Sequence, residues 1–484
     1  METLTDLHHG PGVEVISQPT GYWRWRYFFV WLGIIGLSVY GATSANGILT
    51  SYAIITLPIV ISILWVRGEP PVLAFACGMQ WLQASAAVFY TDRIGTSLTQ
   101  VFGTHHLETA SWLSLTAVLA LAAGMRLALV RRSSSRQKLI EQEAAQVSLR
   151  KICIAYVISY VIGFEINNYA WLFPGFTQLL LPLAAVKWVF VFVVAYCVLE
   201  QERGYLLLVL MLVFEAATGL LGYFAGFKSV FFIVSVAALA SPLALGVRRL
   251  LLVILAFCCL LAFGIFWSAI KMEYREYLNQ GTGEQTVLVP MEDRAAKLGE
   301  LADKFTWEDF DTGLDAMVLR VSYVYYFALA LINVPDSVPY EGGALWGGTL
   351  KHVFMPRLLF PDKPILDDSE RTRLYTGVIV SGSEQGTSIG IGYVGESYID
   401  FGPTWMFAPI LCLGVFYGFI YRFFAIRKTR ILLGSAVASA ILVFGAYTIE
   451  TSNIKLVGGN LVAVLVLGGL YLAFSRPLHR WLTT

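Results

Sequence analysis

The sequence predicts an all-α polytopic membrane protein, and three observations carry that reading. Hydrophobic residues fill 57% of its 484 positions. Charged residues fill only 14%, against about 25% in a soluble globular chain. Apolar runs of about 18 residues or more recur, each long enough to cross roughly 30 Å of hydrocarbon. The net charge of +1 implies no nucleic-acid partner.

Twelve apolar segments read as spans: 27–44, 48–66, 70–90, 108–130, 151–169, 178–199, 204–225, 229–247, 249–270, 404–424, 431–450 and 456–475. Residues 1–26 are polar, and the first apolar run, from Tyr27, lacks a small-residue cleavage site, so 1–26 read as a cytoplasmic N-terminal segment rather than a signal peptide. Helices 1–9 then occupy 27–270, a large extracytoplasmic loop 271–403, helices 10–12 404–475, and a cytoplasmic tail 476–484.

Basic residues set the orientation. The connection from Arg126 to Lys151 carries Arg131, Arg132, Arg136, Lys138 and Arg150, which places it inside. Arg248 and Arg249 mark a second inner turn, and Arg422, Arg427, Lys428 and Arg430 a third. Arg476 and Arg480 place the C-terminus inside. Counting crossings from these anchors puts both 271 and 403 outside. A crossing by the apolar run Val318–Val334 would break that count, so the run reads as a helix lying on or dipping into the outer surface. Upstream, Met291, Ala295, Leu298, Leu301 and Phe305 repeat with a helical period and predict an amphipathic cap.

The loop stretch 343–402 is unlike the rest of the chain. Its fragment MPRLLFPDKP holds Arg357 and Lys363 among Pro356, Pro361 and Pro364, which forbid a long regular helix. Arg371 and Arg373 follow in SERTRLYT, and Arg320 opens the apolar run upstream. Arginine is the residue type for bidentate, permanently charged contact to phosphate oxygens. Salt bridges to Asp362, Asp367, Asp368 and Glu370 are the alternative use of these cations. Lys228, at the outer end of its span, faces the same side. Gly390, Gly392 and Gly395 would let backbone approach a ligand. Glu396 and Asp400 are one helical turn apart. Either would serve as a general base or as a helix N-terminal cap. His352 is a second candidate base. Charged residues inside spans, namely Glu165, Lys187 and Glu215, mark a site or a buried pair.

Six cysteines, Cys77, Cys153, Cys197, Cys258, Cys259 and Cys412, all fall in apolar runs, which predicts no disulfide framework in the loop. No Cys/His spacing suggests a metal site.

The proline–arginine and Lys-Pro elements in a long outer loop, followed by TSIGIGYVGESYIDFG leading into a membrane helix, resemble the Wzy-type oligosaccharide repeat-unit polymerases. These are the O-antigen and exopolysaccharide polymerases of bacteria. The resemblance covers the twelve-span layout and, more specifically, residues 315–420. The family often has arginine where Lys228 stands. The resemblance implies a GT-C-like, O-antigen ligase-like architecture in the bacterial inner membrane, with both termini cytoplasmic and the loop periplasmic. It also implies glycosyl transfer from a polyprenyl-pyrophosphate-linked oligosaccharide, with a flippase and a chain-length regulator of the same pathway as partners. No cofactor is expected. Arg320, Arg357, Lys363, Arg371, Arg373 and Lys228 would hold the pyrophosphate. Glu396 or His352 would be the base. Trp346, Tyr375, Tyr393 and Tyr398 would contact sugar rings. An O-antigen ligase or another lipid-linked glycan transferase is the alternative, and a transporter of lipid-linked glycan the next.

Overall fold

The computed structural model describes residues 20–66, 69–129, 135–173, 175–224, 226–241, 247–283, 287–355, 359–360, 363, 367–382, 387–426 and 429–484. No strand forms among them. The first helices are α1 (Thr20–Gly41), α2 (Ile48–Leu64), α3 (Val72–Arg93), α4 (Leu98–Phe102) and α5 (His106–Ala128). Next come α6 (Ser135–Gln146), α7 (Leu149–Tyr169), α8 (Thr177–Ala184), α9 (Val186–Gln201), α10 (Tyr205–Leu220), α11 (Lys228–Ala240) and α12 (Val247–Leu278). The loop region contains α13 (Met291–Asp303), α14 (Trp307–Val321), α15 (Tyr325–Asn333), α16 (Ala344–Val353), α17 (Asp368–Thr376) and α18 (Tyr393–Trp405). The chain closes with α19 (Phe407–Ala425), α20 (Ile431–Gly445) and α21 (Asn453–Thr483).

Each of the twelve expected segments contains helix. Among the described residues, six helices are long and apolar enough to cross a membrane, or up to eight if each bent pair forms one span. Five other segments form apolar helices of 10–17 residues. Segment 151–169 lies in α7, which meets the polar α6 at 86°. The run Val318–Val334 is not one helix. It straddles the end of α14 and all of α15, bent by 49° around residues 322–324. α14 begins well upstream, at a capping box between Thr306 and Asp309.

The core is built on α5 and α19, whose backbones touch. A Cβ on Gly414 would fall on the carbonyl oxygen of Leu121, and one on Gly124 would fall on that of Leu411. Gly418 repeats the contact one turn on, against Met125. This four-residue spacing of glycines lets two helices pack closely without a large apolar driving force. Leu432–Val443 of α20 and Val191–Leu199 of α9 are buried on all sides and almost wholly apolar, as expected for helices at the centre of a bundle. In the amphipathic cap, Leu298, Leu301 and Phe305 pack inward, with Phe305 against Phe266. Met291 and Ala295 point outward.

Polar contacts between turns sort them into two ends. At one end Arg136 meets Glu69 at 3.6 Å. There Gln201 Nε2 donates to Ala144 O and Val147 O, and Ser148 N donates to Leu482 O. This end holds the basic connection. At the other end Asn46 Nδ2 donates to Asp92, Arg275 Nε donates to Tyr223 O, and the 387–390 and 448–455 segments meet.

Candidate functional site

A cavity of about 990 Å³ opens at this second end. Its polar walls come from the tail of α12 with Arg275, the bend between α14 and α15 with Arg320 and Tyr323–Tyr326, Asp368 with residues 387–390, and Glu450 to Lys455, while Ala87, Val101, Phe102, Leu107 and Phe224 line the apolar part. Arg320 Nη1 lies 2.6 Å from Glu450 Oε2. Lys455 Nζ lies 2.7 Å from Asp368 Oδ2 and donates to Ser388 Oγ at 2.7 Å. The Arg275 guanidinium sits 4.8 Å above the Tyr223 ring. Lys271 is within electrostatic range of both Arg275 and Arg320. The walls therefore carry three cations (Arg275, Arg320 and Lys455) against two carboxylates (Asp368 and Glu450), next to three tyrosines. Such walls suit a ligand that is anionic at one end and hydroxylated at the other.

Just past the cavity-lining Gly390 comes α18, which is buried from Tyr393 to Asp400. Its entry needs Gly392, at φ +94°, where a Cβ would fall on the Ile449 carbonyl oxygen. It is kinked at Gly402, with φ 71° and ψ −177°, followed by Pro403. The two carboxylates of α18 both cap other helices. Glu396 Oε2 accepts from Asn453 N, the first residue of α21, at 2.7 Å. Asp400 accepts from Leu345 N and Trp346 N in the first turn of α16, at 2.9 and 2.8 Å. Each negative group sits at the positive end of a helix and satisfies amides that have no intrahelical partner. Arg371 Nη1 approaches Glu396 Oε1 only to 3.6 Å, beyond hydrogen-bond distance. Burial pushes the Glu396 carboxyl up to about 7, opposed by the Asn453 amide and Arg371. Losing the double cap in Asp400→Ala is expected to cost about 1–2 kcal/mol, read as a fall in thermal midpoint in detergent.

A family described as a domain of unknown function, DUF8712, matches residues 83–449. The chain belongs to that family. No curated protein and no solved structure matches this chain. The match runs from inside α3 to the residue before Glu450, so it takes in most of the cavity wall of this DUF8712 protein.

The structure distributes the cations expected to act together. Arg320 lines the cavity. Lys228 opens α11 with its Nζ 5.7 Å over the Tyr447 ring, and Tyr447 in turn interacts electrostatically with Arg320. Arg371 faces Glu396 of α18 and does not line the cavity. Arg373 donates through Nε and Nη2 to Val380 O. Lys363 Nζ donates to His352 O at 2.6 Å. Arg357 and its flanking prolines lie outside the described residues.

The candidate base His352 is half-buried in the last turn of α16 and is not among the residues that line the cavity. The expected sugar contacts are framework instead. Tyr393 is fully buried, with its hydroxyl donating to Gln80 Oε1 at 2.6 Å. Tyr398 is buried and donates to Val334 O. Tyr375 is buried and donates to Glu341. Trp346 is half-buried, and its indole donates to Ser397 Oγ. None of these four is among the cavity-lining residues. Gly390 and Gly392 likewise approach the backbone of residues 449–450, not an open face, although Gly390 borders the cavity.

Glu450, Lys455, Arg275 and Tyr323 were not singled out from sequence. A signal for two of them exists: TIETSNIK, residues 448–455, places both charges in a short polar turn that the crossing count puts on the loop's side. Within the bundle, Lys187 Nζ lies 2.6 Å from Glu215 Oε2, and Tyr156 donates to Glu215 Oε1. These charges form a buried pair, while Glu165 is exposed. Among the described residues no three His, Cys, Asp or Glu side chains converge to hold a metal ion.

Proposed function

We propose that this protein polymerises polyprenyl-pyrophosphate-linked oligosaccharide units at the outer face of a bacterial inner membrane. One observation supports this above the others: the cavity joins Arg320, Arg275 and Lys455 to a tyrosine cluster at the bundle end opposite the basic connection. Under the positive-inside rule that end is outside. The sorting of turns into two ends supports twelve crossings with cytoplasmic termini, in a GT-C-like arrangement with short apolar helices completing the bundle.

In this reading the acceptor sugar's hydroxyl oxygen attacks the donor's anomeric carbon. The bond from that carbon to the pyrophosphate oxygen breaks, and polyprenyl pyrophosphate leaves with the electron pair. Arg320, Arg275 and Lys455 stabilise the developing charge. A carboxylate takes the hydroxyl proton. Glu450, on the cavity wall, is better placed for this than Glu396, which holds the start of α21 and hence Lys455. Tyr325 and Tyr326 offer rings to sugars.

The test is incubation of purified protein with a lipid-linked repeat unit, with product length read on a gel. A ladder beyond one repeat is expected. Arg320→Ala should lower its rate about a hundredfold with the thermal midpoint within a few degrees of wild type. Product that stays one repeat long with folded wild-type protein overturns the reading. Transfer only to a separate lipid acceptor would make the protein a ligase.

A further inference from the structure

Next to the polar cavity lies a second, narrower one of about 250 Å³. The two share Thr451 and Lys455. From that junction the second cavity descends along one face of α21, past Leu456, Gly459, Ala463 and Leu467, against Ile441 and Phe444 of α20. Those α21 positions recur at helical spacing over eleven residues, or ~16 Å at 1.5 Å per residue. That is about half of a ~30 Å hydrocarbon layer. Gly459 keeps the groove open: nothing lies within 4 Å of where its Cβ would be.

We propose that this groove holds the first isoprenoid units of the lipid carrier, with the carrier's phosphate at Lys455. The proposal rests on the reading that the polar cavity takes a lipid-linked phosphate. Three features select this occupant. A cation stands at the junction, where an amphiphile carries its phosphate. The groove walls below it are mainly aliphatic and aromatic. The volume matches roughly eight water-sized groups at ~30 Å³ each, enough for a short stretch of one chain. The groove thereby orients the carrier, so that the head group enters the polar cavity at Lys455 rather than at the lipid-facing rim.

The test is photolabelling of the full-length protein in nanodiscs. The probe is undecaprenyl phosphate with a diazirine on its first isoprene units, and labelled peptides are mapped by mass spectrometry. Saturable labelling is expected on the peptide holding Gly459 to Ala463. Gly459→Phe should reduce it about tenfold, as expected when an apolar pocket is filled against its occupant. Gly469→Leu, on an open face of the same helix, should leave it unchanged. Equal labelling by a diazirine phosphatidylglycerol would overturn the proposal, because the groove would then be a general lipid furrow. Saturable labelling confined to peptides around the polar cavity would overturn the groove and leave the carrier reading standing. Absence of saturable labelling anywhere would remove both.

Discussion

A Gly414→Val protein will fail to accumulate in folded form. Gly414 sits where α19 meets α5, with the Leu121 carbonyl oxygen in the position a Cβ would take and the Gly124 Cα at 3.0 Å from it. These are backbone atoms, so no side chain can move aside. The two helices must separate, and the contact at Gly418 separates with them. Overpacking in a core costs about 1–3 kcal/mol where side chains can adjust; here they cannot, so at least ~3 kcal/mol is expected. Gly33→Val in α1, where nothing lies within 4 Å, is the control for introducing a branched residue into a helix. The measurement is the monodisperse fraction after detergent extraction, with the thermal midpoint of whatever remains. A Gly414→Val protein as stable as Gly33→Val would show that α5 and α19 do not pack as described.

The second large effect is one of pH. The Glu396 carboxyl is pushed from 4.5 up to about 7 because burial disfavours its charged form. The folded state therefore binds the proton more tightly than the unfolded state. Stability is highest below about 4.5, falls as pH rises from there to about 7, and carries the full penalty above that. The displacement corresponds to about 3 kcal/mol. Glu396→Gln mimics the neutral form, and its amide oxygen can still accept from Asn453 N. Its thermal midpoint is expected to match wild type near pH 5 and to exceed it at pH 8. If the difference between the two proteins stays constant across that range, the carboxyl is not displaced. Glu396 would act by positioning α21, so the same substitution should alter the pH profile of chain growth without removing it.

The membrane class and the place of nearly every long helix were legible because hydrophobic length is a local property. A run of apolar residues needs no partner to declare itself, and 72–93 or 106–128 can be read within two or three residues. The glycines of GVFYG, residues 414–418, also carry a readable signal, since four-residue spacing marks one face of a helix. The cation set was legible only in part. Arg320 was found because it opens the apolar run just upstream of the loop's other cations. Its partner Glu450 was missed because it lies 130 residues away, where no spacing rule reaches. Glu396 and Asp400 stood out as base or cap candidates, and they cap α21 and α16 rather than their own helix. That follows from α18 turning into the bundle at Gly392 instead of lying at the interface.

The sequence alone determined the all-helical, apolar class of the protein and the presence of one polar region rich in cations. Tertiary structure decided which of those cations share a space. Arg371, Arg373 and Lys363 are held by their own neighbourhood, whereas Arg320 and Lys455 meet across segments that come together only when α20 and α21 return to the loop. The physical reason is range. Burial of apolar surface is set residue by residue, but a charge takes its meaning from what stands within a few ångströms of it in the folded chain.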